Sequence, residues 1–242
     1  MPETQTTPLP NKPSKDIFAA AETGDIQALV YWVVQEQVEI NQRNENDATP
    51  LHHAAAYADL ATLQWLIEHR ANVAITNGYS ESVWNIVVFY HRNTRAIQQQ
   101  KLAYLATQIK INPVIEAACL GDLSILQNYQ ADNPKQLKRR EQDGNTLLSY
   151  ATACGQLDVV GWLLTAGIAT IDETNNDSVT ALMWAAQEGH NQVVQTLLER
   201  GANVEAQDKN GWTALIVAAL NGHEQVVQIL LEHGAHIDAK DR

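Results

Sequence analysis

The stretch TALMWAAQEGHNQVVQTLLERGANVEAQD, Thr180 to Asp208, reappears 33 residues later as TALIVAALNGHEQVVQILLEHGAHIDAKD, Thr213 to Asp241. A chain that repeats itself at this period is built of stacked supersecondary units, each too small to bury its apolar face alone. Working outward, the same frame recovers TLLSYATACGQLDVVGWLLTAGI from Thr146 and TPLHHAAAYADLATLQWLIEHRANV from Thr49. Within a unit the residues read as two helices. Thr49 then Pro50 is a helix start: a hydroxyl for the free N–H groups, followed by a residue with no N–H to leave unpaired. Alanine pairs such as Ala54 with Ala55 and Ala185 with Ala186 keep the first helix thin, and Gly189 or Gly222 ends it where a left-handed residue is needed. Val193, Val194, Leu197 and Leu198 then make one apolar face of a second helix, closed by Gly201. The turn-rich segment from Asn203 to Trp212 returns the chain to the next Thr.

These units resemble the ankyrin repeat, with its pattern G-x-T-P-L-H-x-A-A-x-x-G-H followed by a V-V-x-x-L-L-x-x-G-A-x-V helix end. The match is close from Thr49, Thr180 and Thr213, fair from Thr146, and weaker over Asp16 to Asn41, Ser82 to Gln108 and Pro113 to Ala131. The resemblance implies an all-α ankyrin-repeat solenoid of about seven helix-turn-helix units, with about fourteen short helices, over residues 15–242. The third unit is atypical: NTRAIQQQKLAYLATQ lacks the Val-Val and Leu-Leu face, and reads as a long second helix. Both Asp16 to Gly24 and Pro113 to Gly121 carry the A-A-x-x-G-D form of a first repeat. The expectation is two sub-stacks, residues 15–110 (repeats 1 to 3) and 111–242 (repeats 4 to 7), after a proline-bearing disordered leader at 1–14. The last repeat reads like an interior one, apolar where a terminal repeat is normally polar, so a further segment, a partner or a second copy is expected to cover it.

With 242 residues, 45% hydrophobic and 18% charged, the chain has globular composition, and its formal charge of −12 disfavours nucleic acid and anionic membrane. No secretory signal or apolar run of spanning length is evident, and only Cys119 and Cys154 are present, which suits a reducing, cytoplasmic compartment. The two cysteines fall on neighbouring first helices, where a helix spacing of about 10 Å puts them beyond disulfide reach. No nucleotide-binding, zinc-protease or nucleophile-elbow string occurs, so the reading is of a non-enzyme with no cofactor and no metal. His233 and His236 are separated by a helix-breaking Gly234, which argues against a shared metal. The resemblance implies structural hydrogen-bonding roles for His52, His190 and His223. Lys135, Lys138, Arg139 and Arg140 form the only basic run, read first as a solvated hairpin.

The resemblance also implies that a protein or peptide is held on the concave face built from hairpin tips and the exposed side of the first helices. Carried over position by position, that face comprises Lys209, Asn210, Trp212, Leu220 and Asn221 in the last repeat, and Asn176, Asp177, Val179, Gln187 and Glu188 in the one before. Gln142, Asp143 and Asn145 follow, then Tyr57, Tyr79, Glu81, Phe89 and Tyr90 in the first sub-stack. Aromatics in exposed slots are what binding hot spots use, so Tyr57, Tyr79, Phe89 and Tyr90 form the expected anchor, with Phe89 and Tyr90 alternatively turned inward to fill the third repeat. The acidic field favours a partner of basic character. Alternatives are the targeting region of a larger regulator or effector with another domain beyond residue 242, or a homo-oligomeric scaffold joined through the last repeat.

Overall fold

A computed structural model describes residues 12, 13, 15–90, 93–109 and 111–237, so the expected leader lies outside the described residues except for Lys12 and Pro13. Among these residues there are fifteen α-helices, one π-helical turn and a lone β-bridge between Thr174 and Thr180. The chain clusters into two compact units, one ending at Ile109 and the other beginning at Lys110.

In the first unit, α1 (Ile17–Thr23) and α2 (Ile26–Val30) form a helix pair, with α2 running on into a π turn over Tyr31–Gln35. α3 (Pro50–Tyr57) and α4 (Leu60–Glu68) form the second pair, α5 (Val83–Phe89) and α6 (Arg95–Gln108) the third. First helices stack on first helices, α1 on α3 and α3 on α5. Ala54 and Ala55 are fully buried between them, because a side chain of one carbon lets the backbones approach. Leu51, Leu63, Leu66, Leu102 and Leu105 close the core, each contributing about 1.5–3 kcal/mol of apolar burial.

The third repeat's second helix is indeed the long one, 14 residues against nine in α4. Its buried face carries Gln98 and Lys101 beside Leu102 and Leu105. Two polar side chains are tolerated there because each finds backbone carbonyls. Gln98 Nε2 donates to Val87 O at 3.2 Å and Val88 O at 3.1 Å, and Lys101 Nζ to Ala54 O at 3.0 Å and Ala55 O at 2.9 Å. Burial pushes the Lys101 amine down to about 8, with the Asp59 carboxylate opposing.

The second unit runs α7 (Pro113–Leu120), α8 (Leu123–Asp132), α9 (Pro134–Leu137), α10 (Leu147–Ala153), α11 (Leu157–Thr165), α12 (Ala181–Gln187), α13 (Asn191–Glu199), α14 (Ala214–Leu220) and α15 (Glu224–Glu232). The single-turn α9 is the helix that pairwise reading of the repeats leaves out: Pro134 starts it at the first helical position and Leu137 anchors it in the core. Stacking again runs through the first helices, α7 on α10, α10 on α12, α12 on α14.

The repeats are joined by a recurrent bond. The residue preceding a second helix reaches back to the last turn of the previous first helix: Gln156 Nε2 donates to Cys119 O at 2.6 Å, His190 Nε2 to Ala153 O at 2.9 Å, and His223 Nε2 to Gln187 O at 2.7 Å. Carbonyls at a helix end have no partner within the helix, so this bond satisfies a group that stacking would otherwise bury unpaired. It also sets a space requirement. At Gly189, φ is +70° and an added Cβ would meet His223 Nδ1 at 2.6 Å, so glycine is required twice over.

Cys119 and Cys154 are free thiols, as the sequence reading expects, and both are fully buried. Burial, then the neighbouring thiol, pushes the Cys119 thiol up, which leaves it a poor nucleophile.

Candidate protein-binding face

The hairpins project as a ladder whose rungs are single backbone bonds. Gly78 N donates to Asn46 O at 2.9 Å in the first unit; in the second, Asn176 N donates to Asp143 O at 2.9 Å and Lys209 N to Asp177 O at 3.0 Å. Each tip is stiffened by a side chain folded onto its own backbone. Asn44 Oδ1 accepts from Asn46 N and Ala48 N, Asn77 Oδ1 from Tyr79 N and Glu81 N, Asn175 Oδ1 from Asp177 N and Val179 N, and Asp208 Oδ1 from Asn210 N and Trp212 N, all at 2.8–3.0 Å. Asn and Asp serve because their short acceptors close such turns locally.

His52 ties a hairpin to a helix. Its Nδ1 accepts from Thr49 N at 3.1 Å and lies 2.8 Å from Thr49 Oγ1. Burial lowers its pKa, and with Nδ1 accepting from the Thr49 amide the ring proton of the neutral form sits on the buried Nε2.

On this frame the expected face residues separate into those that reach solvent and those that do not. Tyr79 at a tip is 73% exposed, Tyr90 47%, Tyr57 42%, Leu220 65% and Trp212 37%. Gln142, Asn176, Asp177, Lys209, Asn210 and Asn221 are also exposed, while Glu81, Asp143, Val179, Gln187 and Glu188 are half-buried. Two assignments are corrected. Phe89 is 1% exposed: it stands where other repeats carry Ala56 or Ala153 and fills the third repeat's interior, with Tyr90 edge-on at 6.4 Å. Asn145 is buried too, its Nδ2 donating to Asp143 Oδ2 at 2.9 Å and its Oδ1 accepting from Asn175 Nδ2 at 3.1 Å, so it braces two hairpins.

Position in the repeat explains the remaining pattern. Tyr57, Tyr90, Cys154, Glu188 and Asn221 each lie eight residues after the Thr or Ser that starts their repeat, so they share one slot at the first helix's end. The first unit fills that slot with exposed tyrosines; the second fills it with a buried thiol, a carboxyl and an amide. Burial pushes the Glu188 carboxyl up to about 8, although Gln187 Nε2 donates to its Oε1 at 2.8 Å. The tip carboxylate Asp177 faces Lys209 Nζ at 3.3 Å.

The other polar candidates have structural occupations. His233 Nδ1 donates to Ile229 O at 2.9 Å, and His236 Nδ1 lies 3.2 Å from Glu205. Arg140 donates to Thr174 O at 2.7 Å and pairs with Glu173 at 3.6 Å, binding successive hairpins together. Among the described residues no three His, Cys, Asp or Glu side chains gather as a metal site, and no helix is long and apolar enough to cross a membrane. One feature with no signal in the repeat pattern is the π turn, where Tyr31 Oη donates to Glu36 at 2.7 Å.

Family models described as ankyrin repeats (3 copies) match residues 114–208 and 168–241, and one described as ankyrin repeats (many copies) matches 17–67 and 51–98. The chain belongs to the ankyrin-repeat family, a class of protein-interaction module. It is 27% identical over 173 residues to the poly [ADP-ribose] polymerase tankyrase of Caenorhabditis elegans, covering 70% of this chain and 7% of that protein. Against the ankyrin repeat and KH domain-containing protein mask-1 of the same organism it is 27% identical over 208 residues, 81% of this chain and 7% of the relative. Against the probable E3 ubiquitin-protein ligase XBOS32 of Oryza sativa it is 39% identical over 96 residues, 39% of this chain and 19% of the relative. The chain thus spans less than a fifth of these relatives' length, and the shared part is the repeat array.

Proposed function

We propose that this protein is a non-catalytic binding module that holds a protein or peptide of basic character against its hairpin tips and first-helix ends. The observation that carries this reading is that large apolar side chains are left in solvent at these positions, Tyr79 and Trp212 on braced hairpins and Tyr57, Tyr90 and Leu220 at first-helix ends. Rigid aromatic groups offer contact area at low entropy cost, and are what hot spots are made of. The acidic field of a chain at −12 speeds encounter with a basic partner. Glu81, Asp143 and Asp177 carry that field onto the tips, and Gln142, Asn176, Lys209, Asn210 and Asn221 supply hydrogen-bonding rim. The test is capture from a lysate of the source organism by wild type and by the Tyr57→Ala, Tyr79→Ala, Trp212→Ala triple variant, shown folded by circular dichroism. A band held by wild type and lost by the variant supports the face; equal capture moves the site elsewhere.

A second reading, self-association through the last repeat, is favoured by Leu220, Leu231 and Ile237, all exposed, and by Gly222, whose added Cβ would meet nothing within 4 Å where Gly189 is filled by His223. It requires the molecular mass in light scattering to rise with concentration.

A further inference from the structure

We propose that residues 135–140, the basic turn that lies outside the repeat pattern, form a second binding surface whose partner is a short acidic segment of another protein, its carboxylates meeting Lys135 and Arg139. The proposal is independent of the hairpin-face reading, since its ligand carries the opposite charge.

Three observations converge on it. The first is charge. Lys135, Lys138, Arg139 and Arg140 fall within six positions of a chain whose net charge is −12. Like charges set so close repel one another, and stability alone would scatter them among the carboxylates of such a chain. Arg140 does pair, with Glu173 at 3.6 Å, and Lys138 Nζ lies 3.5 Å from Gly167 O. Lys135 and Arg139 are exposed, and among the described residues neither has an ion pair. The second is rigidity. Leu137 is 2% exposed and anchors the turn in the core, while Arg140 Nη1 donates to Gly144 O at 3.1 Å and Thr174 O at 2.7 Å. Lys138 and Arg139 therefore stand between two fixed points, and a ligand that meets them there has little backbone left to order. The third is the shape beside the charge. Arg139 and Gln136 line a narrow cleft with Asn112, Asn145, Ile115 and Leu147. A guanidinium and an amide at its mouth are donors that suit a carboxylate, which Arg takes bidentately. Acidic neighbours set the limits of the surface: Glu141 lines the same cleft, and the exposed Asp132 lies three residues before Lys135. They confine the positive field to the width of a few residues. A nucleic acid or an anionic bilayer would lay its remaining charges against an acidic molecule, within the screening length of about 8 Å at physiological salt. A segment with only a few carboxylates fits inside the patch.

The experiment titrates the full chain into a fluorescein-labelled twelve-residue peptide with a central run of glutamates, read by anisotropy at about 150 mM salt, where charges farther off than about 8 Å are screened. The same peptide with glutamine in place of each glutamate is the control. The expected result is saturable binding of the acidic peptide, weakened about tenfold or more by the Lys135→Gln, Arg139→Gln pair with unchanged circular dichroism. The Lys15→Gln, Arg70→Gln pair removes the same charge from exposed positions in the first unit and should weaken binding by less than about twofold. Equal losses in the two pairs would assign the binding to net charge and overturn the proposal, as would equal binding of the glutamine peptide or no saturable binding below about 1 mM. Single-stranded DNA of the same length bound as tightly as the acidic peptide would also overturn it, replacing a carboxylate site with a general polyanion surface. None of these outcomes touches the hairpin-face reading, whose partner is basic.

Discussion

Two titratable side chains, Lys101 buried and Glu188 half-buried, tie single residues to the stability of the repeats, and they act in opposite directions. Lys101 is held at about 8 in the folded chain, below the ordinary lysine value, so between about pH 8 and 10.5 the unfolded chain carries the extra proton. Stability rises where the unfolded state binds more protons. The wild type should therefore gain about 3 kcal/mol on a Lys101→Met variant between pH 7 and 10.5, at about 1.4 kcal/mol per pH unit, measured by urea unfolding at each pH; a constant difference would show that the amine is solvated. Glu188 runs the other way. Its carboxyl is raised to about 8, so the folded chain holds a proton that the unfolded one has released, and stability is lost as pH climbs from the ordinary carboxyl range through 8. Glu188→Gln should raise the melting temperature, by an amount that grows from pH 5 to 8 and then levels. Neither shift is legible in the residue itself. A Lys in an amphipathic helix is ordinarily solvated, and only tertiary packing brings this one to the carbonyls of Ala54 and Ala55.

At the scale of the element, the joint between repeats is where stability concentrates. Gly189→Ala meets both a left-handed backbone and His223, whereas Gly201→Ala at φ +86° meets only the backbone, with nothing within 4 Å of the added carbon. Both should destabilise, the latter by about 1 kcal/mol and the former by at least about twice that, and the difference in chemical denaturation isolates the contact between repeats. The third repeat offers a matched pair on neighbouring residues. Phe89→Ala should cost about 3–5 kcal/mol because the ring fills the interior, while Tyr90→Ala, on a ring about half exposed, should cost clearly less. Equal effects from the two would contradict their opposite burial. The long α6 was readable because NTRAIQQQKLAYLATQ lacks the Val-Val and Leu-Leu face and the Gly-Ala end of the other second helices. Its buried face was not, because Gln98 and Lys101 carry no apolar signal at the positions that pack.

For the whole molecule, the charge of −12 makes association with the basic partner proposed above an electrostatic encounter. Its association rate should fall several-fold between about 50 and 500 mM salt as the screening length shrinks, with dissociation much less affected, a comparison that stopped-flow kinetics makes directly. A dissociation rate that carries the whole salt effect would point instead to buried ion pairs. The amino-acid order alone determined the class of this protein. A period of about 33 residues, with Thr at the starts of the best-matched first helices, Ala pairs at most of their stacking surfaces and Gly at many helix ends, leaves only one family of stacked helix pairs, since each of those choices is a local backbone requirement. What the tertiary structure decided is which side chains at the expected positions reach solvent. Phe89 and Tyr90 are neighbours with the same aromatic character, and Asn145 and Asn176 are the same residue type near equivalent tips. Only the packing between repeats sends one of each inward and leaves the other in water, because burial is set by the neighbouring unit and not by the residue's own segment.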